Sequence, residues 1–100
     1  MTSRQAATVQ GARVIDDIDV EANDCGLKLV RALQGVNNVD VLINNAGYFY
    51  GPTETISTLN FAEEIKMIDI CAIGPLRITS ALFNAGLLNT GSKVITPRLL

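Results

Sequence analysis

Four short groupings carry side chains that could do chemistry. The first is Asn44-Asn45-Ala46-Gly47, which directly follows the apolar run Val39-Asp40-Val41-Leu42-Ile43. Ala46 and Gly47 are small enough for a ligand to approach the backbone, and the Asn amides can tie neighbouring strands together. In isolation the same tetrapeptide is also an ordinary Asn/Gly turn. The second grouping is Asp16, Asp17 and Asp19, which end the run Ala12-Arg13-Val14-Ile15. A carboxylate at a strand end suits a turn or a ligand contact better than a paired acid/base centre, since nothing else in the sequence points to hydrolysis. The third is the pair of thiols Cys25 and Cys71, far apart in a sequence without histidine. That excludes a metal site of the usual spacing and fits free thiols in a reducing compartment. The fourth is Tyr48 and Tyr50. Pro52 and Glu54 stand four residues after them, so neither has a helical lysine neighbour.

The elements that must position these groups follow from periodicity. Ala12 to Ile15 reads as a strand entering a turn. Asn23 or Asp24 can cap a helix carrying Leu27, Val30 and Leu33 on one face, with Gly35 as its stop. Val39 to Ile43 is too short for a helix and lacks alternation, as expected of a strand buried on both faces of a parallel sheet. Tyr48 to Thr58 reads as a loop. Asn60 with Glu63 forms a capping-box pattern that opens the longest helix. There Phe61, Ile65, Ile68 and Ala72 keep helical spacing, while Ile73, Leu76 and Leu82 widen the apolar surface. Pro75 must kink this helix or break one hydrogen bond, and Gly86 is its stop. Lys93 to Thr96 starts as a strand that Pro97 cuts short. Alternation of strands and helices predicts an α/β fold: a partial doubly wound, Rossmann-like parallel sheet of about three strands and two to three helices.

Val39 to Gly47, VDVLINNAG, resembles the fourth strand and following turn of the short-chain dehydrogenase/reductase family. Asp19-Val20 is similar to that family's Asp-Val after the third strand, where the carboxylate accepts a hydrogen bond from the adenine amine. Met67 to Thr79, MIDICAIGPLRIT, resembles the family's fourth helix, with Gly74 and Thr79 in place. Cys71 stands where the family has its catalytic asparagine, and a thiol is a much poorer donor and acceptor. The resemblance covers about residues 13–95 and matches the middle of the family domain, so residues 1–100 are expected to form an incomplete nicotinamide-dinucleotide-binding domain. It implies NAD or NADP as cofactor, carbonyl or alcohol substrates, and Asp19, Val20, Asn44, Ala46, Gly47 and Ile70 as cofactor contacts. It supplies no catalytic residue: the Gly-rich phosphate turn, the serine after the fifth strand and the Tyr-x-x-x-Lys pair are absent from the sequence. The expectation is therefore a truncated, non-catalytic relative. In the family order 3-2-1-4-5-6 the third and fourth strands are not neighbours. A chain with strands three, four and five alone would leave strand three detached and an edge of strand four open.

Composition narrows the partners. Among 100 residues, 48% are hydrophobic and the net charge is −2. This is enough for a packed core, with no basic run for a phosphate backbone and no uncharged stretch long enough to span a bilayer. Nucleic acid and membrane are excluded as partners, and a cytoplasmic location is expected. The helix over 60–83 is more apolar than one buried stripe requires. In the family the matching helix contributes to the oligomer interface, so association with a second copy or with a full-length relative is the alternative role.

Overall fold

The structure is a computed structural model that describes residues 2–3, 12–48 and 55–96. Chain order is β1 (Thr2–Ser3), β2 (Ile15–Asp16), α1 (Cys25–Ala32), β3 (Val41–Ile43), α2 (Phe61–Ile68), a π-helical turn (Asp69–Ile73), α3 (Gly74–Asn84) and β4 (Lys93–Ile95). The fold is α/β with parallel pairing. β1 pairs with β2, and β3 with β4 in the register Val41–Lys93, Leu42–Val94, Ile43–Ile95. The two pairs form separate sheets, so β2 and β3 do not hydrogen-bond to each other. As the family order implies, strand three of the expected order is separate from strand four. It finds a partner in Thr2–Ser3, a polar segment in which no strand is legible.

The core lies between α1 and α3. Ile18, Cys25, Leu29, Ile78, Leu82 and Leu87 are buried together, with Ile15, Val39 and Leu42 packed against them. Three expectations require correction. On α1 the buried residues are Cys25, Gly26 and Leu29, and Leu27 points outward. Cys25, Leu29, Val30 and Leu33 reach the core, so of the expected face only Leu27 falls outside it. In β3 only Leu42 meets the core; Val41 and Ile43 are 50% and 61% exposed, because the outer face of this sheet carries no helix among the described residues. On α2 and α3 the buried stripe is Ile70, Gly74, Ile78 and Leu82, while Phe61, Ile65, Ile68 and Leu76 are exposed.

Local chemistry explains where the helices start and stop. Asn60 is extended (φ −108°, ψ 96°), and its side-chain oxygen accepts the Glu63 N–H at 3.1 Å, a cap worth about 1 kcal/mol. Asp24 occupies the cap position of α1 without a side-chain hydrogen bond, contrary to expectation. Pro75 is accommodated in the first turn of α3 because the π turn precedes it: the Gly74 N–H reaches back to the Asp69 carbonyl. Gly86, at φ +76°, ends α3. Its N–H donates to Phe83 and the Leu87 N–H donates to Leu82, both at 3.0 Å, the paired bonds of a Schellman motif. Leu87 then folds back onto Leu82, giving the apolar contact that accompanies this cap.

Candidate functional site

Between β2 and β3 lies a cavity of about 610 Å³, within the range of small-molecule sites. Ile15 and Val20 line it from the β2 side, Leu42, Asn44 and Ala46 from the β3 side, and Ile78 and Leu82 from α3. Of the residues the resemblance points to, Val20, Asn44 and Ala46 therefore meet in one space. Asp19, Gly47, Ile70 and Cys71 do not line it. Tyr50 lies outside the described residues.

Each side of the cavity is set by a sharp end to a strand. Asn44 closes β3: it is buried, its backbone N–H donates to the Ile95 carbonyl at 2.8 Å, and its side-chain amide donates to Thr96 Oγ1 at 3.3 Å. A buried amide with both kinds of bond satisfied stiffens the joint between β3 and β4. Beyond it Asn45, Ala46 and Gly47 are exposed, and a Cβ at Gly47 would meet open space. On the other side, Asp19 Oδ1 accepts the Glu21 N–H at 3.0 Å, and the Asp19 carbonyl accepts the Ala22 N–H at 2.9 Å. This is the local turn that an aspartate favours. Asp17 stands at φ +60° and pairs with Lys28 at 3.2 Å on the surface.

Sequence reasoning missed two cations. Arg13 lines the cavity and donates to the Ala32 carbonyl at 3.2 Å. Arg77 donates to the Val20 carbonyl at 2.7 Å and to Asn23 Oδ1 at 3.1 Å, and pairs with Asp69 at 2.7 Å. Asp69 lies two turns before it in the helix, but the Val20 and Asn23 partners are too distant in sequence to have been found by spacing. Tyr48 is held against α2: its hydroxyl donates to Glu63, Lys66 Nζ lies 4.7 Å above its ring, and its carbonyl accepts the Cys71 thiol at 3.6 Å. Cys71 is thus engaged with the loop backbone.

The described cysteines are free thiols, and no group of His, Cys, Asp or Glu among the described residues could hold a metal ion. No helix among them is long and apolar enough to cross a membrane. Cys25 is fully buried, and burial pushes its thiol above the ordinary range against the opposing field of Arg77. In the native chain Cys71 is expected to alkylate before Cys25, whose labelling should wait for opening of the α1–α3 contact. Because the folded thiol holds its proton to higher pH than the unfolded one, stability falls as pH rises past the ordinary thiol range. Peptide mass spectrometry of timed iodoacetamide reactions reads the order, and equal rates would contradict the buried placement.

A parallel α/β arrangement of this kind places the chain in the Rossmann-like class of folds. Comparison with solved structures agrees: the chain superposes on a short-chain dehydrogenase/reductase from Serratia marcescens with a TM-score of 0.67 at 20% sequence identity. The match covers 88% of this chain and 39% of the other, so the chain spans well under half of that protein's length. No family model and no curated protein matches the sequence. The likeness establishes the fold.

Proposed function

We propose that the chain is part of an NAD(P)-dependent short-chain oxidoreductase acting on carbonyl or alcohol substrates, and that by itself it contributes one side of the cofactor crevice without catalysing hydride transfer. The observation that carries this reading is the meeting in one largely apolar cavity of Val20, Asn44 and Ala46, each of which follows the carboxyl end of β2 or β3 in the chain. The residues fit the adenosine portion of a dinucleotide. Val20 and Ala46 line the cavity with apolar surface, Asp19 is next to Val20 in the chain, and the open space at Gly47 leaves the backbone approachable. The pyrophosphate has no Gly-rich helix opening among the described residues, since α1 starts without one. When bound, the cofactor would supply the hydride chemistry. These residues would bind and orient its adenosine end. Free thiols suit a reducing compartment such as the cytoplasm.

Titration of the isotope-labelled chain with AMP and NADH, followed by NMR, tests the reading. Both ligands should shift the Val20 and Ala46 resonances with Kd near 1 mM, about 4 kcal/mol of binding. NADH should bind no tighter than AMP, because the pyrophosphate is uncradled. A folded chain whose Val20 and Ala46 signals ignore both ligands would end this reading.

A second reading has its own observation. Phe61, Ile65, Ile68, Leu76 and Phe83 are 55–69% exposed along α2 and α3. A row of large exposed apolar side chains marks a contact surface, and we infer pairing with a second copy or a full-length relative through it. Sedimentation of the wild-type chain and of Ile65→Lys would separate the two: a monomer at high micromolar concentration in both rules pairing with a second copy out.

A further inference from the structure

We propose that Arg77 is the positioning residue of this crevice, acting through Val20 and Asp69; the role rests on the nucleotide-binding reading above. One guanidinium joins three segments. It holds the Val20 carbonyl in the turn after β2, the Asn23 side chain just ahead of α1, and the Asp69 carboxylate that opens the π turn. Its side chain is only 16% exposed and that of Asp69 30%, so the pair works at reduced dielectric, where charge-assisted bonds are strong. A planar fork meets partners in three directions at once, which a lysine ammonium on a flexible stem does not.

Val20 is fixed on its other side as well. A Cβ added at Gly74 would lie 3.0 Å from Val20 Cβ, so the glycine lets the valine seat directly on α3, one turn from Arg77. Ile70 and Gly74, four residues apart, are buried on the same side of the helix. Val20 thus has its side chain against Gly74 and its carbonyl on Arg77, and it lines the cavity. The adjoining Asp19 also accepts short-range bonds from the Glu21 and Ala22 N–H groups. Releasing Arg77 would remove the anchor on the Val20 carbonyl while leaving those bonds and the seat on Gly74, so that the Val20 backbone can shift against Ala46 and Asn44.

The test compares wild type with Arg77→Met and Arg77→Lys. AMP binding is followed at Val20 and Ala46, hydrogen exchange at the Glu21 amide, and folding at the Leu82 methyls. Arg77→Met should weaken AMP binding about tenfold and speed Glu21 exchange by a similar factor, with the Leu82 signals unchanged; Arg77→Lys should fall between, since it keeps the charge but not the fork. If Arg77→Met does not fold, Arg77→Lys carries the comparison alone, and weaker AMP binding with retained folding is the expected result. A folded variant with wild-type AMP affinity and wild-type Glu21 exchange overturns the proposal. Failure of the wild type itself to bind AMP overturns the nucleotide reading instead, and with it the role assigned to Arg77.

Discussion

Replacing Leu82 by alanine is expected to cost about 3–5 kcal/mol and to leave much of the chain unfolded at room temperature. Leu82 is 1% exposed, and among the described residues it and Cys25 are the largest fully buried side chains. It packs in one cluster with Cys25, Leu29, Ile78 and Leu87. Its carbonyl also accepts the Leu87 N–H that closes α3, so the same residue anchors both the core and the chain reversal into β4. Leu82 borders the cavity between β2 and β3. The void left by truncation would merge with space already present, and neighbours could not collapse to fill it. A chain of 100 residues has a typical stability of about 5–15 kcal/mol in total, so the loss would be a large share. Urea denaturation followed by circular dichroism measures it. A loss below about 1 kcal/mol would mean that the α1–α3 contact is not the stabilising core.

Gly26→Ala should destabilise by about 2–3 kcal/mol, although alanine is the better helix former by about 1 kcal/mol. The Cβ would stand 2.4 Å from Ala81 Cβ and 2.7 Å from the Arg77 carbonyl oxygen. A side-chain tip could give way, but the second neighbour is the backbone of α3. The two helices would have to separate, loosening Leu29 and Ile78 together. Overpacking therefore outweighs propensity. Adding Ala81→Gly should recover part of the loss, because it removes the nearer clash and leaves the carbonyl. Gly47→Ala serves as the control: nothing lies within 4 Å of the new methyl, so thermal melting should barely move. A Gly26→Ala chain as stable as wild type would show that the helices sit farther apart than described.

How much of the fold is legible in the sequence depends on the range of the interactions involved. The Asn60 cap, the stop at Gly86 and the break at Pro75 are short-range effects, and each side chain acts on backbone within a few residues. The turn after Ile43 is legible for the same reason, and with it Asn44 and Ala46. Cavity-lining Val20 is legible only through its resemblance to a known pattern. Which face of a helix is buried is less legible where apolar residues are in excess. From Phe61 to Leu82 spacing admits several stripes, and only the packing of the helix in the fold shows that Ile70, Gly74, Ile78 and Leu82 are the buried one. The pairing of β2 with Thr2–Ser3 leaves no trace, since two polar residues carry no alternation.

By itself, the sequence determined the α/β class, the helix boundaries to within a few residues and the turn that closes β3, because propensity, capping and glycine conformation act locally along the chain. Only the tertiary structure decided that β2 pairs with Thr2–Ser3 and that a cavity lies between β2 and β3. It alone placed Leu27, Val41 and Ile43 at the surface and brought Arg77 to partners 54 and 57 residues away. Those outcomes depend on which surfaces meet when α1 docks on α3 at Gly26, and such a meeting is settled by the shape of both partners, which neither segment encodes alone.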